Sequence, residues 1–280
     1  MAVSTFDASV SRESYATAVE ALNAYAAATA GDAPRLAGTG DQILMVAGLL
    51  RREPRLRRAL ADIARPAEDR AALLQGLLSG QVGAEALRLL TVLVRGRWSH
   101  AGDLLDAVER LGVESLLAAA AHVNQLGEVE DELFRFGQVV NGDPELAAVL
   151  SDPTTDVSRR TAVVHELLEG KALAVTVRLA DLALSSFGGR SFSGSLTRLV
   201  ELAAARRNRE VAYVTSATPL TEDEERRLAD ALASRYGREV SLQVDIDPAV
   251  LGGLSVRVGS DLYDGTVRRR LAQARHALTH

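Results

Sequence analysis

Gly170 and Lys171 stand side by side, the pair with which a phosphate-binding loop closes. Such a loop needs its first glycine where His165 stands and a Ser or Thr where Ala172 stands, so the backbone cradle and the magnesium-holding hydroxyl are both missing. The stretch GTGDQI from Gly38 starts like a dinucleotide fingerprint, but it lacks a third glycine and a preceding strand, and it reads as a loop. Asp245 and Asp247 alternate along a strand and could share a metal; with Pro248 next, Asp247 reads instead as a helix N-cap. His100, His122, His165, His276 and His280 show no i, i+4 pairing and no carboxylate motif of a zinc site. There is no cysteine, hence no thiolate nucleophile and no disulfide framework. Ser185, Ser186 and the Gly/Ser stretch to Ser195 contain no nucleophile elbow and read as a helix-helix loop. A hydrolytic role for Asp245 or Asp264 lacks a second catalytic partner. The run Arg268 to Arg270 has no interleaved aromatics, so it reads as a solvated face or as a pairing surface for acidic partner helices. The expectation is no catalytic residue, no cofactor and no metal.

The scaffold that carries these residues is mostly helical. The 280 residues suffice for two or three domains, and 47 % are hydrophobic with only 4 % aromatic, so cores must be aliphatic. Lys171 is the only lysine among 32 basic residues. Divided at 112 and 207, the chain has net charges of 0, −4 and −1, which weighs against nucleic acid as a partner. The polar N-terminus lacks a signal-peptide pattern, and the longest apolar run, near Ile43 to Leu50, falls far short of a membrane span. The chain is expected to be cytosolic or to sit on a membrane only through partners. Helical stripes appear at Leu73, Leu74, Leu77 and Leu78, at Leu173, Val177, Ala180 and Leu184, and at Leu196, Leu199, Val200 and Ala203. Trp98 reads as core filler.

Pro54 and Pro144 each open a short helix after an acidic residue, and Gly80 and Gly170 each stop one after a Leu-Leu pair. These matches belong to an internal repeat. With a shift of 90 residues, the stretch from Arg51 to Val94 has 12 identities in 44 positions, among them Arg70 over Arg160 and Arg88-Leu89 over Arg178-Leu179. The fold expected is mainly α: two tandem related helical bundles, residues 1–112 and 113–207, followed by a small α/β module, 208–280.

The pattern of that module is β-α-β-β-β-α. Residues 210–216 alternate as a strand, Thr221 and Glu224 form a capping box for an acidic-ended helix, and Val240, Leu242, Val244 and Ile246 share one face of a second strand. Asp247-Pro248 opens one turn, Gly252 ends it, and Gly253 lets the chain pass close to a neighbour. Leu254, Val256 and Val258 point inward from a third strand and Arg257 outward; Leu262-Tyr263 form a fourth, Asp264-Gly265 turns, and Thr266 caps a last helix.

The ordered series Asp247, Pro248, Gly252, Gly253, Arg257, Gly259, Asp264, Gly265, Thr266, Val267, Arg268 and Leu271 resembles the C-terminal signature of the delta subunits of F-type ATP synthases, relatives of the oligomycin-sensitivity-conferring protein. VAYVTSATPLTEDE and LGEVEDELFRFGQVVNGDPELAAVLSDP also resemble that family, which extends the likeness over about Gly112 to Leu278. The preceding region resembles the enlarged delta subunits of high-GC Gram-positive bacteria. The resemblance implies a non-catalytic stator subunit that links the catalytic head to the membrane sector, peripheral at the cytoplasmic face of the cell membrane. It implies that the second bundle holds N-terminal helices of the alpha subunit and that the C-terminal module holds stator subunit b. The partner of residues 1–112 is left open. The competing reading is a helical adaptor of another complex with a nucleic-acid-binding C-terminal module, and the net −1 of that module opposes it.

Overall fold

The structure, a computed structural model, describes residues 9–29, 32–152, 154–207, 210–236, 240–247, 250, 252–258, 261–267 and 269. They fall into two compact units, within Met1–Ala204 and Ala205–His280. The first is all helix: α1 Ser9–Ala28, α2 Ala33–Arg52, α3 Pro54–Ala61, α4 Ala67–Leu78, α5 Ala84–Arg95, α6 Ala101–His122, α7 Leu126–Gly142, α8 Pro144–Ser151, α9 Val157–Leu168, α10 Ala174–Leu184 and α11 Phe192–Arg207, with a short 3-10 turn at Phe187–Gly189. In the second, β1 Glu210–Ser216, α12 Glu222–Tyr236, β2 Val240–Ile246, β3 Leu254–Val258 and β4 Asp261–Asp264 form a sheet of order β2-β1-β3-β4. β1 and β2 run parallel with α12 as the crossover; the other pairs are antiparallel.

Local sequence sets the helix ends. Pro54 and Pro144 occupy the first turn of α3 and α8, where a missing N–H costs nothing, and Asp143 accepts from Glu145 N and Leu146 N. Gly80 and Gly170 follow α4 and α9 at φ +77° and +70°, the left-handed region a stopping residue needs. Of the predicted stripes, Leu74 and Leu78 are buried, but Leu77 is 49 % exposed because it lies on the outer side of α4. Leu173 and Val177 are only half-buried, while Thr176, Leu179, Ala180, Ala183 and Leu184 carry the contact of α10.

The 90-residue period recurs in three dimensions. Shifted by 90, α3 and α4 fall on the bounds of α8 and α9, and α5 falls within one residue of α10. Arg70 is buried and donates from Nη1 to the carbonyls of Leu60 (3.4 Å) and Val94 (2.7 Å). Arg160, also buried, donates from Nη1 to Leu150 (3.4 Å) and Leu184 (3.3 Å), the same carbonyls 90 residues on. Each arginine thus closes the orphan C-terminal carbonyls of two helices at once.

The expected division at 112/113 lies inside α6. Leu104, Leu111, Leu116 and Leu117 on that helix are all fully buried, and one hydrophobic core runs from Tyr15 to Ala203 across it. Full burial of each leucine contributes about 1.5–3 kcal/mol, so α6 anchors the helices on both sides of it. Against α6 packs α2, the most extensive helix–helix contact of the unit. A Cβ on Gly40 would stand 3.0 Å from the Gly112 carbonyl, and one on Gly112 would stand 2.6 Å from Leu44 Cγ. GTGDQI is therefore helix interior and not the loop its glycines suggest: Gly40 is needed for close approach, not for a turn.

Candidate interaction surfaces

The C-terminal series builds a backbone knot at one end of the small sheet. Asp247 N donates to Ser216 O at 2.9 Å, tying the end of β2 to the end of β1, and Val250 N donates to Asp247 O at 3.1 Å. Gly252 and Gly253 then take φ of +121° and +74°. Gly265 N donates to Leu254 O and Val267 N to Gly252 O, both at 3.0 Å, so the Gly-Gly and Asp-Gly segments lie backbone against backbone. A Cβ on Gly253 would meet Gly265 O at 2.5 Å. Asp264 Oδ1 accepts from Thr266 N (3.0 Å), and the buried Thr266 accepts from Arg269 N (3.2 Å), the expected cap. Pro248, Gly259 and Arg268, and all of residues 270–280, lie outside the described residues. The seven described polar and glycine positions of the series thus divide between backbone architecture and one outward cation, Arg257, which is exposed on β3 opposite Leu262 of β4.

The faces of this sheet are unequal. Ala212, Val214, Val240, Val256 and Val258 are buried beneath α12, and Leu232 of that helix closes the core. Ile246, at the last position of β2, is 49 % exposed, against the expectation that it shares the core face throughout. Leu262 on the edge strand is 60 % exposed. A contact the sequence did not announce holds that edge: Tyr263 Oη lies 2.9 Å from Tyr236 Oη and accepts from Arg235 Nε at 3.0 Å, with the guanidinium 5.0 Å from the Tyr263 ring centroid. The pairing joins residues 27 and 28 positions apart, a separation no periodicity reveals.

In the helical unit, α7 and α11 leave a groove of about 670 Å³ lined by Leu133, Phe134, Gly137, Leu196, Val200 and Ala204 among others. Phe134 is 55 % exposed there. The helices 90 residues earlier, α2 and α6, close on each other through Gly40 and Gly112; Glu130 and Leu202 occupy the corresponding positions on α7 and α11. Below the junction of α6 and α10 lies a charged cluster. Arg51 bonds Glu109 and the Ser185 carbonyl, and Glu109 accepts from Gly188 N at 3.0 Å. Burial, helped by Glu109 and Asp103 and opposed by Arg190 and Arg51, pushes the Asp106 carboxyl up to about 6.

The residues with chemical potential are engaged in structure. Lys171 donates to Leu167 O at 3.2 Å beyond the α9 stop. His165 pairs with Asp181 at 2.9 Å, which raises its pKa. Trp98 is buried and donates to Leu93 O at 2.9 Å. Among the described residues no cluster of His, Asp and Glu could hold a metal, and no helix is long and apolar enough to cross a membrane.

Comparison with known proteins decides between the readings. The family described as ATP synthase delta (OSCP) subunit matches residues 108–278. The chain belongs to that family. Over 271 residues it is 62 % identical to the ATP synthase subunit delta of Salinispora arenicola, covering 97 % of this chain and 98 % of that one. It is 59 % identical over the same length to the Salinispora tropica subunit, with the same coverage, and 47 % identical over 266 residues to that of Streptomyces griseus (95 % and 97 % covered). The family match begins within α6, whereas these relatives also cover the helices before it. As a member of this family the chain is a structural and not a catalytic component.

Proposed function

We propose that the chain is the stator joint of an F-type ATP synthase, held between the catalytic head and the membrane sector so that the head does not turn with its shaft. On this reading the helices are a duplicated bundle. α6 serves as the last helix of the first copy and the first of the second, which is how the 90-residue period accommodates a single core. Residues 113–207 take the N-terminal helices of the alpha subunit, and the module of residues 208–280 takes stator subunit b. The subunit is peripheral at the cytoplasmic face and reaches the membrane only through these partners. The signature residues Asp247, Gly252, Gly253, Asp264, Gly265 and Thr266 shape the sheet, and side chains beside them, Arg257 and Leu262 foremost, meet the partner.

The observation that carries the reading is the open α7–α11 groove inside the family-matched segment, with an apolar lining and an exposed phenylalanine. Such a groove fits an amphipathic helix laid along it. The test is calorimetric titration of the organism's alpha-subunit N-terminal peptide into the whole chain. A fragment starting at residue 113 would begin inside α6 and lose α2, so the intact protein is the one to titrate. Binding that weakens at least tenfold in Phe134→Asp, a loss of about 1.4 kcal/mol, supports the groove. Binding unaffected by Phe134→Asp moves the site elsewhere on the helices, and no binding refutes the alpha-subunit assignment.

A further inference from the structure

The two segments related by the 90-residue shift share a backbone but not a charge. Residues 51–65 carry six arginines against Glu53 and Asp62; residues 141–155 carry no basic residue and three carboxylates, Asp143, Glu145 and Asp152. α3 and α8 nevertheless have the same length, the same proline start and the same arginine beneath them. The fold therefore does not require the arginines. Two of the six have structural work: Arg51 bonds Glu109, and Arg57 donates to Leu50 O at 3.3 Å. The other four, Arg52, Arg55, Arg58 and Arg65, are exposed. Only Arg65 has an ion-pair partner among the described residues, Asp62 at 3.6 Å, with both side chains about half exposed.

Arg58 and Arg65 border a surface pocket of about 530 Å³ whose lining also includes Ala59, Ile63 and the buried Trp98. Ile63, at 62 % exposure, is the most exposed large aliphatic residue among those described. Shifted by 90 residues, the position of Trp98 is Gly188 and that of Arg58 is Ala148. The pocket thus sets the cations Arg58 and Arg65 beside the apolar Ala59, Ile63 and Trp98, with Asp62 and His100 also in its lining. Arg55 and Arg58 sit one turn apart, where like charges repel in the free helix and are relieved when carboxylates come between them. Guanidinium groups suit that role because each presents a fork of donors to a carboxylate.

We propose that this face docks an acidic segment of another ATP synthase subunit, its carboxylates on Arg55, Arg58 and Arg65 and one apolar side chain on Ile63. The eight residues of α3 extend only about 12 Å, too little to track a nucleic-acid backbone. A net charge of −5 on the whole chain also disfavours a polyanion or an anionic membrane, while a local positive patch on an acidic protein steers a complementary protein surface. The inference concerns the region before the family match and does not depend on what fills the α7–α11 groove.

The test uses the full chain and labelled peptides of about 20 residues tiled across the acidic stretches of the other synthase subunits encoded with it, read by fluorescence anisotropy. At least one peptide is expected to bind, with affinity falling steeply as salt rises. The triple variant Arg55→Glu, Arg58→Glu, Arg65→Glu should weaken it tenfold or more, and the same peptide with its acids changed to arginine should bind that variant and not the parent. Ile63→Ser should weaken binding about threefold with the salt dependence intact, as expected for one lost apolar contact. If the triple variant melts early by circular dichroism, Arg58→Gln with Arg65→Gln replaces it, with the same direction of effect. The proposal fails if no acidic peptide binds or if binding ignores both sets of variants. It fails equally if the arginines prove to mediate only self-association in sedimentation or only binding to anionic vesicles.

Discussion

Arg70 offers the sharpest test of how the helical unit is held together. Replacing it with Met keeps the length and apolar stem of the side chain and deletes the guanidinium. Two short bonds disappear, to Val94 O at 2.7 Å and Gly96 O at 2.8 Å, together with two longer ones to Leu60 O and Arg95 O. Each good hydrogen bond from a charged donor is worth about 1.5–3 kcal/mol, and of the carbonyls left behind at the end of α5 that of Val94 is buried. Allowing for non-additivity, Arg70→Met should cost about 3–4 kcal/mol. Arg160 makes only two long bonds, at 3.4 and 3.3 Å, so Arg160→Met should cost about 1–2 kcal/mol. Thermal melts of the full chain followed by helical circular dichroism convert these to drops of roughly 6–16 °C and 2–8 °C, at about 2–4 °C per kcal/mol. Trp98, which donates to Leu93 O beside Val94, gives a local fluorescence reading of the same event. Equal losses for the two variants, or a loss under about 1 kcal/mol for Arg70→Met, would show that these carbonyls do not depend on the arginine.

Three further outcomes follow from the same geometry. Gly112→Ala should destabilise the helical unit by about 1–2 kcal/mol, overpacking against Leu44 outweighing the gain in helix propensity, whereas Gly137→Ala, with open space around its Cβ, should stabilise by about 0.5–1 kcal/mol in the same melts. Gly253→Ala forces a side chain into φ +74° and onto the Gly265 carbonyl, so it should cost more than about 2 kcal/mol and be seen as faster amide exchange in β3 and β4 while Trp98 fluorescence stays unchanged. The raised pKa of Asp106 means the fold favours its protonated form, a contribution present below about pH 4 and lost as pH rises through 6. Asp106→Asn should therefore raise the melting temperature at pH 7.5 by about 2–4 °C, as about 1 kcal/mol does in a domain of this size, and leave it unchanged at pH 4.

Much of this architecture was legible in the sequence where the cause is local. Proline starts, glycine stops and the 90-residue period located α3, α4, α8 and α9, and the Asp-Pro, Gly-Gly and Asp-Gly series marked the succession of strands along the C-terminal module, though not their order in the sheet. What escaped depends on distant neighbours. Gly38 and Gly40 read as a loop because helix glycines are penalised locally, and the reason for Gly40, the approach of Gly112, lies 72 residues away. Arg70 and Arg160 aligned in the repeat, but an arginine pattern resembles a solvated face until the carbonyls beneath it are seen. The division at 112/113 assumed that a repeat ends where a domain ends, and α6 is long enough and apolar enough on all sides to belong to both halves. The Tyr236–Tyr263–Arg235 contact joins a helix end to an edge strand across a chain reversal, and no spacing rule covers that.

The burial of α6 in one continuous core also has a mechanical meaning. Two bundles strung on a loop would bend at the loop under load, and each could be removed without harm to the other. Here no loop separates the halves: bending the unit at its middle would pull Leu104, Leu111, Leu116 and Leu117 out of a shared interior. On the proposed stator reading, the eleven helices described before residue 208 would serve as one strut, because they share a single core. A cut at residue 112 or 113 would fall inside α6 and open that shared core.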